Sequence, residues 1–238
     1  MHKETIKHVT DILNMLDTFM REPEPFWNGF YRDRSKEVPF FVNQPDENLV
    51  SYFESGVLTE GSMLELGCGP GRNAIYAASK GFQVDAVDLS EEALAWARER
   101  AEERQVNVHF ECKSVFELHP KDQYYDFVYD SGCLHHLWPH RRIEYLSMIH
   151  NTLKPGGYFG LSCFASGYTE MGGAVESSDY DVYREKSMKG GQAYSKDKLF
   201  ELLGDRFDNI ECRSMYACGE DTGKFGLPFL WASLWRKK

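Results

Sequence analysis

Directly behind the apolar pair Met63-Leu64 the chain reads Glu65-Leu66-Gly67-Cys68-Gly69-Pro70-Gly71-Arg72-Asn73. Glycines at alternate positions let the backbone turn tightly and leave no side chain in a ligand's way. About 20 residues further on comes Asp85-Ala86-Val87-Asp88, and a carboxylate at that distance is placed to accept both hydroxyl protons of a ribose. Together these residues predict a site for an adenosine-containing cofactor. A dinucleotide site would carry Gly-x-Gly-x-x-Gly with a pyrophosphate on the helix N-terminus. Counted from Gly67, its third glycine falls at position 72, where Arg72 stands. A nicotinamide-dependent oxidoreductase is therefore disfavoured.

His135, His136 and His140 could be read as metal ligands, but no adjacent carboxylate completes a set, and no metal is expected. Imidazole titrates near neutrality, so His135 and His136 are candidates for taking a proton from an incoming nucleophile. On an extended segment neighbours point oppositely, so only one of the two would reach the site. Arg141-Arg142 reads as a solvated first helical turn. Trp27, Phe30, Tyr31, Phe40 and Phe41 could wall a pocket for a flat or apolar small molecule, with Trp27, Tyr31 and Phe40 as the candidate substrate contacts.

These residues need elements to hold them. Ile6, Val9, Ile12, Leu13, Leu16 and Met20 recur at helical spacing and predict an amphipathic helix ending before Pro23. Residues 23–45 read as irregular because four prolines interrupt them. A short helix over 46–54 follows. Strands are then expected at 63–66, 82–87, 106–110, 125–129 and 158–163, with helices over 73–80, 91–104 and 139–153 between them. Ser90, followed by Glu91-Glu92, is a good N-cap. Residues 164–194 break the rhythm, and a helix over 196–203 and strands over 207–215 and 227–235 close it. The alternation implies a single α/β unit: a doubly wound, mostly parallel seven-stranded sheet with helices on both faces and an antiparallel last strand. Within it, residues 1–44 form an N-terminal helix and aromatic lid, 45–163 the cofactor-binding core, 164–194 an insertion forming part of the acceptor site, and 195–238 the C-terminal helix and strands.

Four stretches in order resemble one family. The Glu65–Gly71 loop, Asp88-Leu89, Tyr125-Asp126-Phe127-Val128-Tyr129-Asp130-Ser131-Gly132 and Leu153-Lys154-Pro155-Gly156-Gly157 are similar to the motifs of class I S-adenosylmethionine-dependent methyltransferases, over residues up to about 161. That resemblance implies a Rossmann-like methyltransferase fold and S-adenosyl-L-methionine as cofactor. It implies that Gly67, Cys68, Gly69 and Gly71, with Asn73 at the helical end, flank the methionine moiety while Glu65 supports its ammonium group. Asp88 would bind the ribose, Leu89 would pack on adenine, and Asp130 would sit beside the methionine end where the acceptor arrives. Many relatives carry Asp where this chain has Ser114; Ser114 and the Val115 amide are expected to meet the adenine amino group instead.

Composition narrows the acceptor. The formal charge of -10 and pI near 5.3 repel phosphate backbones and anionic membranes. Neither the Asn/Asp-Pro-Pro-Tyr/Phe motif of amino-directed DNA methyltransferases nor a Pro-Cys nucleophile is present. A small-molecule acceptor is expected, presenting an O, N or S nucleophile, with no nucleic-acid or membrane partner. The aromatic N-terminal entry resembles the thiopurine and tellurite methyltransferases, which makes a soft nucleophile (thiol, thiopurine or chalcogen oxyanion) the alternative. A cofactor-binding protein without turnover is a further one. The start of the sequence lacks a secretory signal, no run approaches a membrane span, and the six scattered cysteines form no Cys-x-x-Cys pair, so a cytoplasmic protein with reduced thiols is expected.

Overall fold

The computed structural model describes residues 5–169 and 173–238. Its centre is one seven-stranded sheet in the order β3-β2-β1-β4-β5-β7-β6. Strands β1 (Ser62–Leu66), β2 (Gln83–Asp88), β3 (His109–Cys112), β4 (Tyr125–Ser131) and β5 (Leu153–Phe164) run parallel, and β7 (Leu230–Lys237) lies antiparallel to both β5 and β6 (Phe207–Ser214). The doubly wound reading with an antiparallel last strand is the observed fold.

Strands covered on both faces read as nearly unbroken apolar runs. Neighbouring residues point to opposite faces. Leu64 and Val128 therefore pack with Tyr145, Ile149 and Trp235 beneath α6 (Pro139–Thr152) and α8 (Lys196–Leu203). Met63 and Phe127 pack on the other face with Leu49, Ala77 and Leu94 from α3 (Glu47–Glu54), α4 (Arg72–Ser79) and α5 (Glu91–Glu103). Each such side chain, fully buried, contributes about 1.5–3 kcal/mol. The Ser90 hydroxyl caps α5 as expected, accepting from the Ala93 amide at 3.2 Å.

Several boundaries differ from the sequence reading. Residues 23–45 are not irregular throughout: α2 (Pro23–Arg32) is a helix, because Pro23 occupies its first position, where no amide donor is needed. Helix α1 (Val9–Asp17) is shorter than its apolar spacing suggested and leaves Val9 and Ile12 exposed. β3 begins later than residue 106, since Gln105 turns at φ 54° and the Val106 amide closes α5 on Ala101. β7 begins three residues later than expected because residues 215–229 leave the sheet. They are tied to the start of α3, where the Phe225 amide donates to Pro45, the Glu47 amide to Phe225, and Arg213 grips the Glu47 carboxylate at 2.5 and 3.0 Å. Residues 164–194 contain a short helix, α7 (Asp179–Glu185). Among the described residues, no helix is long and apolar enough to cross a membrane.

Candidate functional site

The strand order reverses direction at β1, whose two neighbours are β2 and β4. A crevice opens at the carboxyl ends of strands where this happens. The glycine loop lies there. The Gly67 and Cys68 amides both donate to the Val87 carbonyl, at 2.8 and 2.9 Å, folding the loop over the end of β2. Gly71 takes φ +78°, and a Cβ there would meet the Ala97 methyl at 2.9 Å, so only glycine lets α4 start against α5. Gly69 takes φ +52°, and a Cβ would stand 3.0 Å from the Tyr31 hydroxyl.

Asp88 closes this loop from the neighbouring strand. Its two oxygens accept from the Gly69 amide at 2.7 Å and the Ser90 amide at 2.8 Å. A carboxylate has about four acceptor sites, so both oxygens keep capacity for further donors. Burial raises its carboxyl above the ordinary value, against the pull of the Ser90, Gly69 and Leu89 amides. Leu89, Ser114 and Val115 line the cavity next to it. The Ser114 hydroxyl accepts from the Phe116 amide at 3.3 Å.

Glu65 is 1% exposed, and its Oε2 has no hydrogen-bond partner among the described residues. Burial pushes its carboxyl up to about 8, although the Arg72 charge pulls the other way. Arg72 is itself buried. Its guanidinium pairs with Asp46 at 2.5 Å, donates to the Gln44 carbonyl at 3.0 Å and Ser131 Oγ at 3.1 Å, and lies 4.2 Å over the Phe225 ring. Asn73 faces the cavity wall, but its side chain is turned to Asp46, accepting from the Asp46 amide at 2.9 Å and donating to Oδ2 at 3.3 Å. The Tyr129 hydroxyl donates to the same Asp46 oxygen at 2.7 Å.

Asp130 is placed differently from the expectation that it sits at the acceptor's mouth. It is fully buried and off the cavity wall, and it accepts from the Cys133 amide (2.7 Å), the Leu134 amide (2.9 Å) and the Tyr145 hydroxyl (2.7 Å). These bonds bend the chain after β4 into a single 3-10 turn, Leu134–His136. The segment is therefore not extended, and His135 and His136 both border the cavity. His136 meets the Trp27 ring edge-on at 4.9 Å, and burial, with the Arg21 charge, pushes its imidazole down to about 4. His140 is turned away to Asp17 and Tyr183, at 2.7 Å each. Among the described residues, no three His, Cys, Asp or Glu side chains are grouped to hold a metal ion.

The opposite wall comes from α2 and the turn Pro39–Phe41, which bring Trp27, Tyr31 and Phe40 to the cavity. Asp17, at the end of α1, ties that helix to α6, accepting from Arg141 Nε at 3.2 and 3.1 Å besides its His140 bond. Sequence reasoning missed Phe225, Leu227 and Phe229, which complete the wall from the loop before β7. The one available signal was Gly226 and Pro228 among these apolar residues, which argues against a strand there. The assignment of 164–194 to the acceptor site also needs correction: among its described residues only Phe164 borders the cavity, and residues 170–172 lie outside the description. Other residues of this stretch stand behind the wall: Tyr183 and Asp179 reach His140 and Arg142 on α6, and the Gln192 amide donates to the His135 carbonyl. The cavity is partly open to solvent and its volume is about 1200 Å³, above the ~300–1,000 Å³ that suits one small ligand.

Residues 63–157 match the family model described as a methyltransferase domain. An uncharacterized methyltransferase of Schizosaccharomyces pombe is 36% identical over 74 residues, which cover 31% of this chain and 51% of that protein. The chain thus spans about half the length of that relative. Two solved structures share the fold. One comes from a study of the conversion of a disulfide bond into a thioacetal group during echinomycin biosynthesis (TM-score 0.70, 22% identity, covering 90% of this chain and 91% of that one). The other is the Burkholderia thailandensis 1,6-didemethyltoxoflavin-N1-methyltransferase with bound 1,6-didemethyltoxoflavin and S-adenosylhomocysteine (TM-score 0.63, 22% identity, covering 99% and 93%).

Proposed function

We propose that this chain is a class I S-adenosylmethionine-dependent methyltransferase that transfers a methyl group to an O, N or S nucleophile of a small molecule; the methyltransferase-domain match over residues 63–157 and the shared fold support the reading. One observation carries the reading. One continuous cavity is bordered by Asp88, Gly69 and Leu89 as well as by Trp27, Phe40, His136 and Phe229, and its volume leaves room for two ligands.

The residues present fit the cofactor. Glu65 is a buried carboxyl with an unpartnered oxygen beside the glycine loop, the chemistry an ammonium group would satisfy. Asp88 retains lone pairs for ribose hydroxyls, and Leu89, Ser114 and Val115 supply an apolar and hydrogen-bonding surface for the adenine. The bound cofactor supplies an already activated methyl on a sulfonium. The remaining task falls to this chain: to hold the acceptor in line and exclude water. Trp27, Tyr31 and Phe40 close the roof, while the Phe225–Phe229 wall and Arg72 fix the far side. The net charge of -10 favours a metabolite-sized acceptor over nucleic acid, and a cytoplasmic setting fits the six free thiols.

Thermal shift with S-adenosylhomocysteine and with NAD tests the reading. At a hundredfold excess over Kd the homocysteine product should add about 2.7 kcal/mol, a rise of roughly 5–10 °C for a chain of this size. Asp88→Ala should abolish most of that rise. A shift with NAD alone would end the proposal. Donor consumption against phenols, thiols, amines and chalcogen oxyanions then identifies the acceptor class.

A further inference from the structure

His135 is held so that a proton can be given from it in one direction only. Its ring is 4% exposed, stacked on Phe164 with centroids 4.1 Å apart, and meets His136 edge-on at 4.3 Å. The backbone amide of Phe164 donates to its Nδ1 at 3.2 Å. A ring nitrogen that accepts carries no hydrogen, so the neutral imidazole bears its hydrogen on Nε2. The orientation is locked from both sides. The Gln192 amide donates to the His135 carbonyl at 2.8 Å, and a Cβ on Gly191 would lie 3.3 Å from the ring's Cδ2. The Cε1–Nε2 edge faces Gly132, on the cavity wall, and Nε2 has no hydrogen-bond partner among the described residues.

We propose that His135 is a hydrogen-bond donor to an acceptor that arrives already deprotonated. The second substrate is then a small molecule with an acidic or soft anionic centre, such as a thiolate or the ionised oxygen of an acidic ring, not an alcohol or ordinary phenol. This rests on the methyltransferase reading above. The other groups around the cavity support it. Asp130 is occupied by two amides and a tyrosine hydroxyl. Asp17 is held by His140 and Arg141. Glu65 and Asp88 stand at the cofactor end, and Glu22 and Glu117 are exposed at the rim. His136, the titratable group in ring contact with His135, is a weak base at about 4. In the transfer, the acceptor's lone pair forms the bond to the methyl carbon and the carbon–sulfur bond breaks, leaving its electron pair on sulfur. The sulfonium becomes a neutral thioether, the acceptor's negative charge is cancelled, and no proton moves. Nε2–H meets a lone pair of the acceptor that takes no part in the attack.

Long-range ¹H–¹⁵N correlation spectra of histidine-labelled protein, free and with S-adenosylhomocysteine, read the tautomer directly. His135→Gln assigns the signal. The expected result is one neutral Nε2–H tautomer across the neutral range. An Nδ1–H tautomer, or a ring that becomes cationic between about pH 6 and 8, overturns the proposal whether or not an acceptor has been found. A second arm measures kcat/KM against pH for 4-nitrothiophenol, thiophenol, 4-nitrophenol and phenol. The break should move with each acceptor's own acidity, in wild type and in His135→Gln alike, with the variant slower. A break common to all four that vanishes in the variant, with a loss of about 10²–10⁴-fold, would make His135 a base. Failure of the parent reading looks different: S-adenosylhomocysteine then gives no thermal shift, whatever the tautomer.

Discussion

A carboxyl group taken out of water without a full set of partners is favoured in its neutral form. Glu65 is in that position, and its folded value of about 8 stands above its ordinary 4.5. The neutral acid therefore contributes stability that is fully present below pH 4.5 and is lost as pH rises through about 8. The cofactor-free protein should show this as a falling melting temperature across that window, and Glu65→Gln should flatten the difference. Comparing the two proteins matters because Asp130, pushed up by burial to about 6, slopes the same way. An arriving ammonium group would reverse the preference of Glu65, so donor binding should release a proton near neutrality. Calorimetry in buffers of different ionisation enthalpy would detect it, and equal enthalpies in all buffers would refute it. The motifs place Glu65 at the ammonium group and Asp130 at the acceptor's mouth, whereas among the described residues the structure leaves an unpartnered oxygen on Glu65 and none on Asp130. The distinction depends on the Tyr145 hydroxyl, which reaches Asp130 from a helix fifteen residues away in sequence.

At the scale of elements, the N-terminal segment is held to the body by an apolar cluster, Tyr31 and Phe41 against Ala93 and Trp96, with polar contacts around it. Asp17 holds α1 to α6, Asn28 accepts from the Ser90 hydroxyl at 2.9 Å, and Arg32 and Arg34 reach Glu92 and Glu99 on α5. The Arg32 and Arg34 pairs are exposed and individually worth little, whereas Asp17 meets the largely buried His140 and Arg141. Asp17→Asn, which removes the charge paired with Arg141 and His140, should lower the melting temperature by a few degrees and speed proteolysis between residues 23 and 45 several-fold. S-adenosylhomocysteine together with a methyl acceptor should slow that cleavage. Equal rates in wild type, variant and ligand-bound protein would show that the lid does not open there. The order of strands and helices was legible because each central strand is buried on two faces and each helix is capped or closed by a recognisable residue. The lid helix α2 was hidden by its prolines, which usually signal irregular chain but here sit in its first turn. The loop before β7 was hidden because its anchor, Glu47, which accepts from the Tyr216 amide, lies 169 residues away in sequence.

Across the whole molecule, the site is shared between distant parts of the chain: the lid, the glycine loop, the turn after β4 and the loop before β7. A substitution in the N-terminal wall, the turn after β4 or the loop before β7 should thus alter acceptor selection without abolishing cofactor binding. Phe229→Ala should change KM for the acceptor by several-fold while the thermal shift from S-adenosylhomocysteine is retained; loss of that shift would place Phe229 in the cofactor's support instead. The order of the sheet adds a condition on how the molecule is made. β7 follows every other strand in sequence yet lies inside the sheet, between β5 and β6, and it buries Ala232, Leu234 and Trp235. During synthesis the cofactor-side strands emerge first and can pair, while the edge of β5 waits, open and apolar, until residue 237 has left the ribosome. Synthesis at ~5–20 residues per second leaves that edge bare for several seconds. A nascent chain halted at residue 229 should accordingly bind trigger-factor-like holdases and resist release, whereas one halted beyond residue 237 with a linker to clear the exit tunnel should let go. Translation speed over the codons for residues 165–237 then becomes a determinant of yield.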